Sequence, residues 1–347
     1  MHIDITLMEK DLLLAGDLAS DAESAGHHGV WCTETGVDPF LQAFEAIRRT
    51  DDVMVGTAVA VALARNPMTV AYSAWNLAQV SGGRFILGLG SQVKPHIERR
   101  YSMTWKSPVG QMREFMLATR AIFESWRTGE KLNFEGEHYT HTLMSPFWSP
   151  TPHEHEIPIW AAAVGPRMME MAGSAADGVL LHTFINRAYL EKVAYPAMDK
   201  GMSEAGRTGT KLEMSIPLFM AMGDTEQELE ERRAEVAKQL AFYASTPSYR
   251  PVLEAIGYED LQPELTAMSK RGEWDQMASI VTSDLLEHFS ISGTPEQMPE
   301  LARQHLGDRV NRVTSYFGWP VEDPDRLREI LASFPEEKDQ TGGGRSV

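Results

Sequence analysis

The chain has 347 residues and a formal charge of −17, from 32 Lys plus Arg against 49 Asp plus Glu. It is 43% hydrophobic and 23% charged, with 27 Gly and 19 Pro, which excludes a disordered, collagen-like or coiled-coil chain. So acidic a surface argues against a broad nucleic-acid or anionic-membrane partner, because neither tolerates a large negative field.

The start, Met1-His2-Ile3-Asp4-Ile5, carries an acid where a secretory leader is basic and then apolar. A first strand is predicted at 2–7 and a helix at 11–26, then strand 29–33 and helix 39–49. Cys32 is the sole cysteine, so no intrachain disulfide and no Cys-rich zinc site is expected. The apolar run 53–64 is too short to span a bilayer and reads as a buried strand, 53–59, and its exit. Helix 67–81 ends at Gly82-Gly83, which turn the chain into strand 84–88. Helix 108–127, strand 157–162, helix 166–175, strand 178–182, helix 187–206 and strand 213–222 follow. Thr225 with Glu228 forms a capping box opening helix 225–243. Thr294-Pro295-Glu296-Gln297 repeats that start signal before helix 296–306, with Pro at the first helical position. The last strand is predicted at 312–317.

Strict alternation implies parallel pairing with right-handed crossovers, and about eight such units favour a closed (β/α)8 TIM barrel. An open doubly wound sheet is the alternative. Against it, the turn after the first strand, Leu7-Met8-Glu9-Lys10-Asp11, has no glycine to cradle a dinucleotide phosphate. Residues 1–335 read as one domain with inserted loops at 129–156 and 244–292, and 336–347 as a flexible tail. A soluble, cytoplasmic protein is expected.

In such a barrel the site lies where the strands end. That rule selects Glu9, Glu34, Ala58-Val59-Ala60, Ser91-Gln92 with His96 a turn later, Val164-Gly165, and His182-Thr183. Plainer readings stand beside these: Glu9 can serve the dipole of the first helix, and a histidine is more often structural than catalytic. Lys94, His96, Arg99 and Arg100 form a small cationic group, either a solvated helix face or a site for an anionic cofactor tail. His27-His28 and His153-Glu154-His155 read as surface loops rather than metal ligands. No Gly-x-Ser-x-Gly elbow or P-loop is present.

The block Val55-Gly56-Thr57-Ala58-Val59-Ala60, Ala64-Arg65-Asn66-Pro67 and Ser81-Gly82-Gly83-Arg84-Phe85-Ile86-Leu87-Gly88-Leu89-Gly90 resembles the signature of the bacterial luciferase-like superfamily. Ala175-Ala176-Asp177-Gly178 also fits. The stretches from Gly90 to Arg100 and from Ala241 to Arg250 look most like its coenzyme F420 (deazaflavin)-dependent subgroup. The resemblance implies a barrel holding a flavin or deazaflavin across the strand ends, with a non-prolyl cis peptide between Ala58 and Val59 behind the ring. It implies cofactor contacts from Ala58, Val59, Ala60, Ser91, Gln92, His96, His182 and Thr183, and a phosphate turn at Val164-Gly165.

The stretch after the second strand departs from relatives that carry an Asp-His pair there. Glu34 is its sole ionisable group and the first choice for acid/base work, with His96 or His182 second. Trp105, Phe147, Trp148 and Trp274 are expected as substrate walls. The activity implied is hydride transfer between the deazaflavin C5 and a small organic substrate. The alternatives are an FMN-dependent monooxygenase fed by a separate reductase, and a non-catalytic barrel used for binding or assembly. A homodimer is expected, and no metal.

Overall fold

The computed structural model describes residues 1–334; the tail expected at 336–347 lies outside them. Eight strands form the ring: β1 (His2–Leu7), β2 (Gly29–Cys32), β3 (Met54–Thr57), β4 (Phe85–Gly90), β5 (Ile159–Ala162), β6 (Gly178–Leu180), β7 (Glu213–Met222) and β8 (Arg312–Ser315). Each pairs in parallel with its neighbours, and β7 closes the circle by pairing with both β6 and β8. The fold is a closed (β/α)8 barrel. The far half of β7 continues past the ring and pairs with a further strand, Ser290–Gly293.

The flanking helices begin where local chemistry satisfies their free N–H groups. Asp11 caps α1 (Leu12–Ala25), Asp38 caps α2 (Pro39–Arg49) and Asn66 caps α3 (Pro67–Val80). Then come α4 (Pro108–Thr128), α5 (Pro166–Ala175), α6 (Tyr195–Glu204), α7 (Glu226–Ala244), opened by the Thr225–Glu228 capping box, and α8 (Met298–Leu306). The first insertion carries a small hairpin, Phe134–Glu135 with Thr140–His141. The second is largely helical, including Arg250–Glu254, Leu261–Arg271 and Ser283–Glu287. A helix at Pro324–Ala332 follows the last strand, where none is expected from the sequence.

The ring encloses its own small core of Trp31, Ile86, Trp160 and Leu180, with the two indoles 5.3 Å apart. Glycines on the neighbouring strands make room for them: a Cβ on Gly56 would lie 2.4 Å from the Trp31 ring, and one on Gly178 2.3 Å from Trp160. Below, the Asp4 carboxylate accepts the Trp31 indole N–H at 2.8 Å and two Arg312 N–H groups at 2.7 Å each. That pair is buried and joined by two parallel hydrogen bonds, the condition under which two charges persist inside a protein. Cys32 is wholly buried on β2, and burial pushes its thiol pKa far up.

Candidate active site

The upper end of the lumen is shaped by a break in β3. Thr57 Oγ1 donates to the Gly88 carbonyl at 2.7 Å and accepts the Gly88 N–H at 3.0 Å. Gly88 has no room for a side chain, since a Cβ there would lie 1.8 Å from the Thr57 carbonyl oxygen. The next peptide, Ala58–Val59, is cis. The chain then rejoins β4 through Ala60 and Val61. The strand predicted to run unbroken over 53–59 therefore stops at Thr57, and Ala58 and Val59 turn toward the lumen.

There they form one side of a cavity of about 280 Å³. Thr6 and Trp31 contribute from β1 and β2, Ala162 to Val164 from the end of β5, and Leu180 to Thr183 from the end of β6. Ser215 and Pro217 come from β7, Thr314 and Tyr316 from β8, and Tyr243 from the last turn of α7. Among the described residues no Asp, Glu, Lys or Arg lines it. A larger groove, about 540 Å³, lies outside the barrel between α4, α5 and α6, away from the strand ends. Both signs of charge line it, and its Lys200 is already paired with Glu170 and Glu204.

His182 is held at both nitrogens. Nδ1 accepts the Phe184 N–H at 3.0 Å, which places the ring proton on Nε2, facing the Tyr249 hydroxyl at 3.0 Å. Tyr249 stacks on the imidazole at 4.8 Å, and Tyr243 meets it edge-on at 4.7 Å. Burial pushes the His182 pKa down to about 4, so the ring is neutral at ordinary pH. Burial also pushes the Tyr249 hydroxyl up to about 12, with Tyr243 nearby adding to the effect. The Tyr243 and Tyr316 hydroxyls are 2.8 Å apart. The neighbouring Thr183 Oγ1 is buried without a hydrogen-bond partner among the described residues, so its donor and acceptor capacity is unmet.

The sequence-selected residues divide. The structure brings Ala58, Val59, Val164, His182 and Thr183 around one cavity. Gly165 opens α5 beside Val164 without a side-chain cap, and nothing lies within 4 Å of its Cβ direction. Ala60 is buried behind the wall. Ser91 and Gln92 are half-buried beyond β4, with Gln92 at φ 60°, and His96 is exposed on a single π-helical turn; none of the three lines the cavity.

Glu34 lines it neither, and its carboxylate is already taken up. It accepts from the Val61 N–H at 2.8 Å, from Arg65 at 2.5 Å and from the Tyr101 hydroxyl at 2.7 Å. The geometry gives Glu34 an anchoring place, tying its own loop to Val61, Arg65 and Tyr101. Glu9 likewise turns back on its own loop, accepting the Lys10 and Asp11 N–H groups. Of the aromatic residues expected as walls, Phe147, Trp148 and Trp274 are exposed, and neither they nor Trp105 reaches the cavity. Missed from the sequence are Tyr243, Tyr316, Trp31, Thr6, Ser215 and Thr314. Applying the strand-end rule as far as the eighth strand would have found Tyr316. Among the described residues no group of three or more His, Cys, Asp or Glu side chains could hold a metal ion.

Residues 6–308 match the luciferase-like monooxygenase family. An uncharacterized protein of Mycobacterium tuberculosis is 43% identical over 307 residues, covering 88% of this chain and 90% of that one. The coenzyme F420-dependent tetrahydromethanopterin reductase of Methanopyrus kandleri superposes with a TM-score of 0.73 at 21% identity, over 96% of this chain and 97% of that one. The FMN-bound oxygenating constituent of 3,6-diketocamphane monooxygenase from Pseudomonas putida superposes at 0.61 with 17% identity, over 95% of each.

Proposed function

The chain belongs to the luciferase-like monooxygenase family, and from that premise we propose that it is a coenzyme F420-dependent oxidoreductase acting on a small organic substrate. The observation that carries this reading is the cavity against Ala58–Val59, lined among the described residues by no acid, lysine or arginine, with Thr183, whose buried hydroxyl has no hydrogen-bond partner among them, in its wall. These residues suit a flat, mostly apolar ring with polar edge atoms: small side chains allow close approach, and Thr183 offers an unmet hydrogen bond. Val164-Gly165, at the uncapped start of α5, suits a phosphate. When bound, the reduced deazaflavin would supply a hydride; the protein's part is to orient it, exclude water and manage the proton.

FMN with a separate reductase is the second reading, supported by the fold shared with an FMN-bound monooxygenase. Fluorescence titration separates the two. Saturable binding of oxidised F420, with FMN at least tenfold weaker, is the expected result; tight FMN binding with none of F420 overturns the assignment.

Helices α1 and α2 expose Leu13, Leu14, Leu18, Leu41 and Phe44. Such a face supports the homodimer expected from the sequence, and a cytoplasmic location goes with the acidic, cysteine-poor chain. Sedimentation at micromolar concentration tests the dimer: Leu14→Asp should shift it to monomer.

A further inference from the structure

The site has to provide a proton as well as a binding surface, and its lining narrows the source. Among the described residues no acid, lysine or arginine reaches the cavity. Glu34 is committed to three donors elsewhere. His182 is neutral, and both of its nitrogens are engaged. The aliphatic hydroxyls of Thr6, Thr183, Ser215 and Thr314 are weaker acids than a phenol, even with burial and the Tyr243 hydroxyl pushing the Tyr316 phenol well up. What remains is Tyr243 and Tyr316, whose hydroxyls meet at 2.8 Å. Two phenols joined by one hydrogen bond keep one O–H proton over, and neither has another hydrogen-bond partner among the described residues. Tyr316 is fixed between Phe219 and Phe317, with ring centroids 4.7 and 4.9 Å away, and Tyr243 is fixed edge-on against His182.

We propose that the Tyr243–Tyr316 phenol pair is the proton donor to the oxygen of an uncharged carbonyl substrate. This rests on the oxidoreductase reading above. A hydride delivered from the reduced deazaflavin to the carbonyl carbon leaves the C=O π pair on oxygen, and that oxygen takes the pair's spare proton, giving the alcohol. The resulting phenolate is held by the partner's O–H and regains its proton from water. A charged substrate would find no counter-ion among the described lining residues, and burying an unpaired charge is strongly unfavourable. The site therefore selects aldehydes and ketones over carboxylates.

The test uses Tyr243→Phe, Tyr316→Phe and the double variant, each saturated with F420, with cyclohexanone and cyclohexanecarboxylate as probes. For cyclohexanone reduction, each single change should lower kcat by about 100-fold or more. The double variant should be no slower than the slower single, because the two act as a unit. Calorimetry should show cyclohexanone binding to the oxidised holoenzyme, about tenfold weaker in the variants, with cyclohexanecarboxylate binding to none. Affinity for oxidised F420 should stay within twofold. Unchanged kcat in either single variant, equal binding of the carboxylate, or loss of F420 affinity in the variants overturns the proposal; the last would mean that the pair holds the ring instead. Failure of the wild type to bind F420 at all instead overturns the cofactor reading. In that case cyclohexanone binding to the cofactor-free protein and its Phe variants still decides the role of the pair.

Discussion

The two sides of the barrel mouth use polar groups in opposite ways. Beyond β2 and β3 the chain places charge at Glu34 and Arg65, and that charge is spent internally. Glu34 joins three loops through Val61, Arg65 and Tyr101, and Arg65 continues to Asp38 at 3.0 Å, the residue that caps α2. On the β5 to β8 side the described polar groups that line the cavity are neutral, and some hydrogen-bonding capacity is left over, at Thr183 and in the Tyr243–Tyr316 pair. A carboxylate whose lone pairs are filled fixes geometry and has little to offer a ligand. A buried hydroxyl with a spare donor or acceptor is costly until a ligand meets it. Charge at a strand end is therefore no guide by itself to where the chemistry lies.

The seam between the two sides is the most vulnerable point. Gly88→Ala would put a methyl 1.8 Å from the Thr57 carbonyl oxygen and 2.8 Å from Leu180 across the lumen. Backbone cannot yield as a flexible side chain can, so the variant should lose about 4 kcal/mol or more or fail to accumulate as folded protein. A thermal midpoint within two degrees of wild type would refute the tight contact.

Next in size is Glu34→Gln, which leaves Arg65 without its largely buried counter-ion. Denaturant unfolding should show a loss of about 3 kcal/mol, with the pH dependence of turnover unaltered in shape. If turnover disappears while stability is unchanged, Glu34 is the proton donor and the contrast between the two sides collapses.

Acid should act on the neutral side. Burial holds the folded His182 at about 4 against an ordinary value of 6.5, so between those values the unfolded chain takes up a proton that the folded ring refuses. Stability should be flat above about pH 7 and fall as pH drops through that window, by about 2–3 kcal/mol for this residue at pH 4. His2 and His305, also pushed down to about 4 by burial, add to the wild-type slope. The difference between wild type and His182→Phe isolates the His182 share, and equal slopes for the two would contradict it.

The smallest effect is expected for Thr183→Val, which removes an unmatched buried hydroxyl at nearly constant volume. The cofactor-free protein should gain up to about 1 kcal/mol while F420 binding weakens several-fold; a loss in both would show that the hydroxyl already has a structural partner.

All eight ring strands were legible in the sequence because each is a short run bounded by turn residues, and the principal helices because most span ten or more residues between those strands, α7 also through its Thr225–Glu228 capping box. In 244–292 the sequence showed short helical patterns but not their bounds. The residues before Arg250, Leu261 and Trp274 make no side-chain cap, and most of these helices are too short to show a 3.6-residue period. Ala58, Val59, Val164, His182 and Thr183 could be found because a strand end is a local property. The role of Glu34 could not, since its partners Arg65 and Tyr101 are 31 and 67 residues away. Tyr243 reaches the cavity only because α7 packs where it does, and nothing in its immediate neighbours announces that.

Cys32 has a practical bearing. Sealed inside the ring wall with its thiol held protonated, it is poorly placed to react with alkylating or oxidising reagents. A cysteine introduced at the exposed Phe147 or Trp148 would then be the chain's one accessible sulfhydryl. A single fluorophore there could follow movements of the first insertion as ligands enter, without any need to engineer out the native thiol.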